Sequence, residues 1–221
     1  MLLRPEDTIT CLYRNERDIE IPALTGSIRD HLNDINSFID IGAHWSHAFY
    51  APGVKNILVN RVYDAVDILS DDLTSKIVDH YFIGNVCEPG FQLESYDYVA
   101  CVSVIEHCGL TTYKENNYRN EQYKLFDKLT SLAKKYLFLS FPFGLDDIYP
   151  GQLANITNTQ LYAFEYMAAK QGLHLANSQF YFNEFAPGGE PWYLISREEA
   201  ATKPMIKEKG TQCIGIVEFT K

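Results

Sequence analysis

Residues that could do chemistry cluster in two short stretches. The apolar run Tyr96–Ile105 is followed at once by Glu106 and His107, and the run Ser37–Gly42 closes on Asp40-Ile41-Gly42 before His44 and His47. An imidazole with its ordinary pKa near neutrality can take a proton from a hydroxyl or an amine, so His107 is a candidate base and Glu106 a candidate for orienting the loop or a substrate. The plainer reading makes them a cap or an anchor for loop backbone. Histidines 44 and 47 are packed or solvent-facing on the same reasoning, with His44 next in line as a base. A glycine after an apolar strand can let backbone approach a ligand, but Gly42 is followed by Ala43, His44, Trp45 and Ser46. The three-glycine spacing that cradles a pyrophosphate is missing, which disfavours a dinucleotide cofactor.

The elements that must position these residues alternate between strand and helix. Strand-length apolar runs occur at 37–42, 63–69, 80–84, 96–105 and 136–141, and the fourth is apolar almost throughout, as for a central parallel strand covered on both faces. Leu125, Phe126, Leu129, Leu132 and Ala133 mark one face of a helix ending in Lys134 and Lys135. Thr157 and Gln160 have the spacing of a capping box before a second helix that stops at Gly172. Runs 178–183 and 213–220 fit a closing antiparallel pair. Between them, 184–210 carries Trp192, read as a lid aromatic in preference to a core plug. This order predicts an α/β fold, Rossmann-like and doubly wound, with a mostly parallel seven-stranded sheet and an antiparallel C-terminal strand pair. Residues 1–35 read as a lead-in with a short helix near 27–32, and 36–221 as the main domain.

The 221 residues are 46% hydrophobic and carry a net charge of −10, which suits a sizeable core and disfavours nucleic acid as a partner. Neither a signal peptide nor a membrane span is expected, so the location expected is cytoplasmic. Five cysteines without C-x-x-C or zinc spacing predict reduced thiols and no metal.

The stretches FIDIGAHWS, YDYVACVSVIEHCGL and KLFDKLTSLAKKYLFLSFPFG resemble the motifs of class I S-adenosylmethionine-dependent methyltransferases. Asp97, Ser103, Glu106 and His107 match the fourth-strand motif of that family position by position. The resemblance implies S-adenosyl-L-methionine as cofactor, contacted by Asp40, Gly42, Ala43, His44 and Ser103. It further implies an acidic residue at the end of the second strand for the ribose hydroxyls, for which Asp67 is preferred to Asn60, and Asn85 and Val86 for the adenine. His107 and Glu106 are then the catalytic candidates. Glu106-His107-x-Gly109-Leu110 is also similar to methyltransferase-like proteins of bacterial surface-glycan clusters, which implies a small-molecule acceptor of the carbohydrate class. A non-catalytic binding or scaffolding protein of the same fold is the alternative, since His44 and Ser46 stand where the family has its second and third glycines. A homo-oligomer stays open.

Overall fold

The structure is a computed structural model that describes residues 16–110, 118–146, 148–149, 153–183, 192–205 and 213–221. Helix α1 (Arg17–Asp30) leads into strand β1 (Ser37–Ile41). Helices α2 (Ser46–Phe49) and α3 (Ala51–Ile57) lead on to β2 (Val62–Asp67), β3 (His80–Ile83) and β4 (Tyr96–Val102). After α4 (Tyr118–Leu132) come β5 (Ala133–Pro142), the small pair β6 (Ile148–Tyr149) and β7 (Leu153–Ala154), α5 (Asn158–Lys170) and β8 (His174–Phe182). The chain closes with β9 (Tyr193–Ile195), α6 (Arg197–Ala200) and β10 (Cys213–Thr220).

The main sheet has the order β3-β2-β1-β4-β5-β10-β8-β9. Strands β1 to β5 pair in parallel, while β10 lies antiparallel between β5 and β8. The sheet therefore has eight strands and not the seven expected. The additional one is β9, whose Tyr193 to Ile195 pair with Phe182 to Phe180 at the sheet edge. Three residues with exposed Tyr193 and Leu194 carry too little alternation to stand out in a sequence.

Alternation of side chains sends the two faces of each strand into two cores. Ile39, Ile41, Val99, Cys101, Leu137 and Leu139 pack under α4 and α5, while Phe38, Tyr63, Tyr98, Ala100 and Phe138 pack under α1 and α3. The Thr157–Gln160 capping box is present in full and starts α5. Trp192 packs against the second of these cores and not over the ligand edge, so it acts as a plug and not as the expected lid. The rest of that excursion, 184–191 and 206–212, lies outside the described residues, as do residues 111–117.

Two boundaries differ from expectation. Ala133, Lys134 and Lys135 open β5 in place of ending α4, because Ala133 takes its place beside Tyr96 and Lys135 reaches Asp97 at 3.5 Å. The lead-in forms a helix of 14 residues, with Ile19, Ala23, Leu24 and Ile28 on its buried stripe. Pro22 and the β-branched neighbours Ile19, Ile21 and Thr25 hide that stripe from a propensity argument. Among the described residues, no helix is long and apolar enough to cross a membrane.

Candidate functional site

Strand order reverses between β1 and β4, so the crevice where doubly wound sheets bind ligands opens beyond Gly42 and Ser103. Gly42 takes φ +81°, and a side chain there would collide with both methyl groups of Val104 from the turn after β4. Only glycine suits that backbone and that approach.

The remainder of the first turn is held by its own chain. The N–H groups of Gly42 and Ala43 both donate to the Val66 carbonyl, at 2.8 and 3.2 Å. Those of His44 and Trp45 donate to the carboxylates of Asp67 and Asp71, at 3.0 and 2.9 Å. Ser46 and Ala48 donate to the carbonyls of Ala43 and Trp45, and His47 to the Thr74 hydroxyl. Trp45 sits at φ 71°, a left-handed conformation that the bond to Asp71 helps to hold. Burial pushes the Asp71 carboxyl up, but the Thr74 hydroxyl and the N–H groups of Thr74 and Trp45 outweigh it and hold the group well below the usual carboxylate range.

The turn after β4 is built differently. Ser103, at φ 50°, ends the strand three residues earlier than the apolar run predicts, and its N–H donates to the Ser140 carbonyl at 3.1 Å. Its hydroxyl donates to Glu20 of α1, and Arg17 donates to the other oxygen of Glu20 at 2.6 Å. Glu20 is fully buried. Glu106 is buried as well, its Oε2 without a hydrogen-bond partner, and burial pushes its carboxyl up to about 8. His107 is half exposed, with Nε2 3.8 Å from Glu106 Oε1.

These turns enclose a cavity of about 890 Å³ along the carboxyl edge of β1 to β4. That volume is within the range of small-molecule and cofactor sites, roughly 300–1,000 Å³. Its polar wall includes Arg17, His44, Asp67, Asn85, Ser103 and His107. Among the described residues, no cluster of side chains is arranged to hold a metal ion.

No sequence-family model and no curated protein sequence matches the chain. Solved structures do match it. Magnesium protoporphyrin IX methyltransferase from Synechocystis PCC 6803, solved with S-adenosylmethionine bound, has a TM-score of 0.55 at 13% identity, over 94% of this chain and 84% of its own. A putative RNA methyltransferase from Pyrococcus horikoshii gives 0.54 at 13% identity, over 95% and 87%. The methyltransferase domain of bacterial CtHen1 gives 0.51 at 12% identity, over 90% and 97%. The chain has the class I methyltransferase fold.

Within that fold, the residues singled out in the sequence divide into two groups. Gly42, His44, Asp67, Asn85, Val86, Ser103 and His107 line the cavity together. Asp40, Ala43 and Glu106 do not. Asp40 is fully buried behind the first turn, accepts a hydrogen bond from the Tyr50 hydroxyl at 3.1 Å, and is pushed by burial to about 7. Ala43 is packed in the core under α1 and α3. Glu106 lies behind the wall, 3.8 Å from the His107 ring that does line the cavity. Asn60 is excluded as the end of the second strand, since β2 begins at Val62 and ends at Asp67.

Arg17, Glu20 and Asp71 escaped the sequence reading. The Arg17–Glu20 pair has helical spacing, a signal that becomes visible once α1 is known to start at residue 17. Asp71 and Thr74 also have a recognisable local pattern, in which the Asp71 carboxylate accepts the N–H groups of Leu73 and Thr74.

Proposed function

We propose that the chain is an S-adenosylmethionine-dependent methyltransferase acting on an oxygen or nitrogen of a small acceptor, with sugars and glycan precursors as the first class to test. The observation that carries this reading is the cavity at the point of strand reversal, with Asp67 at the tip of β2 and Asn85 just past β3. Asp67 accepts one backbone N–H on each oxygen, from His44 and from Leu69. Each carboxylate oxygen can accept a further bond, so Asp67 retains capacity for both hydroxyls of a ribose. Asn85 and Val86 stand on the adenine side, with Gly42 and Ser103 toward the other end.

When bound, S-adenosylmethionine supplies an electrophilic methyl group on a sulfonium. The protein's part is to hold donor and acceptor in line, and at His107 to take the proton released by a hydroxyl or amine. His107 is exposed enough to reach an acceptor, and the neighbouring Glu106 favours its orientation. The carbohydrate preference rests on the likeness around Glu106-His107-x-Gly109-Leu110.

The test is transfer of a labelled methyl group to a panel of sugars, sugar nucleotides, phenols and amines. With an acceptor found, His107→Ala is expected to lower turnover by roughly 10²–10⁴-fold while leaving cofactor affinity near wild type. A variant that transfers at the wild-type rate would remove His107 from the mechanism. The absence of the second and third glycines favours one other reading, a non-catalytic protein of the same fold. Binding of S-adenosylhomocysteine without transfer to any acceptor would support that reading.

A further inference from the structure

The first turn raises a question that the cofactor reading leaves open. The amino-acid end of S-adenosylmethionine carries a carboxylate, and an anion in a partly enclosed cavity needs hydrogen-bond donors. Every backbone N–H from Gly42 to Ala48 already donates within the chain. The turn therefore offers that carboxylate no backbone donor without breaking one of its own bonds.

Among the described residues, Arg17 is the only lysine or arginine that lines the cavity. Its guanidinium lies over the Phe49 ring, 5.5 Å from the centroid, just beyond the first turn. Its partner Glu20 also accepts the Ser103 hydroxyl, which ties the arginine to the tip of β4. Three strand spacings, about 14 Å at the usual interval, separate β4, to which Arg17 is tied through Glu20 and Ser103, from β3, which Asn85 follows, and both residues line the cavity. A guanidinium carries five donors in a fixed fork and can serve two carboxylates at once.

Resting on the cofactor reading above, we propose that Arg17 binds the carboxylate at the amino-acid end of the cofactor, and that Glu20 is the positioning residue that aims it. On this account α1 supplies the anion recognition that the first turn withholds, which lets the turn dispense with its second and third glycines. Two sources could present a carboxylate to Arg17, the cofactor or an acidic acceptor, and the test separates them without any acceptor present.

Wild type and Arg17→Gln are titrated by calorimetry with S-adenosylhomocysteine and with 5′-methylthioadenosine, which keeps the adenosyl group and lacks the amino-acid end. The expected result is a loss of about 10- to 100-fold in affinity for S-adenosylhomocysteine, the worth of a charge-assisted pair, with affinity for methylthioadenosine unchanged. Glu20→Gln should give a smaller loss of the same selectivity. If Arg17→Gln does not fold, Arg17→Lys carries the same comparison, since it keeps the charge and loses the fork. Wild type binding both ligands, with the variant weakened equally toward both or toward neither, overturns this inference and leaves the cofactor reading standing. Wild type binding neither ligand overturns both.

Discussion

The two turns that meet at the strand reversal are stabilised by different means. After β1, backbone N–H groups are fixed by Val66 and by the carboxylates of Asp67 and Asp71, all from β2 or the loop that follows it. After β4, the fixing comes from side chains on α1, and two buried carboxyls, Glu20 and Glu106, stand close enough for Glu20 to push Glu106 further up. The first arrangement favours an ionised Asp71, whose carboxyl is held low by its hydrogen-bond donors. The second is favoured when Glu106 keeps its proton, because a buried, partly unpartnered carboxylate is costly. One edge of the site is thus held by backbone hydrogen bonds, while the other depends on the protonation of Glu106 and on the docking of α1.

Gly42 is where the two turns touch most closely. Gly42→Ala forces a side chain into Val104 at a left-handed backbone position and so couples the two turns through a clash. The expected loss of stability is about 2–5 kcal/mol, combining the left-handed cost with overpacking, and chemical denaturation measures it. A loss under about 0.5 kcal/mol would mean that the turns move apart freely, which close packing there does not allow.

A smaller effect sharpens the contrast through pH. The folded carboxyl of Glu106 titrates near 8, above its ordinary value of 4.5, so the folded state keeps a proton that the unfolded chain has released. Its contribution is complete below the ordinary value and is lost as pH rises toward 8. Asp71 runs the other way, because its carboxyl is held low and its contribution disappears as pH falls through the acid range. Glu106→Gln mimics the protonated acid and should remove on the order of 2 kcal/mol of the stability that wild type loses between pH 6 and pH 8. Equal pH slopes for variant and wild type would place the alkaline sensitivity elsewhere, with Asp40 the next residue to change.

Much of this architecture could be read from the chain alone because its signals are local. Apolar runs of strand length announced β1, β2, β4 and β5, and Thr157 with Gln160 marked the start of α5. The likeness to class I methyltransferases singled out Asp67, Asn85 and Ser103 beside Gly42 and His107, and all five line one cavity. What stayed hidden depends on contacts between segments distant in sequence. Arg17 lies 86 residues before Ser103, and only the packing of α1 across β4 brings Glu20 between them. Asp40 shares the Phe38 face of β1 by strand alternation, while the burial of Glu106 depends on side-chain direction in the turn after β4, which neither periodicity nor a motif reports.

The central claim is that the cavity holds an adenosyl cofactor, and calorimetric titration of the wild-type protein with S-adenosylhomocysteine tests it most directly. Saturable binding at a single site is expected, with stability raised by about 2.7 kcal/mol when free ligand reaches a hundred times the dissociation constant. No heat of binding and no shift in melting temperature at millimolar ligand would contradict it.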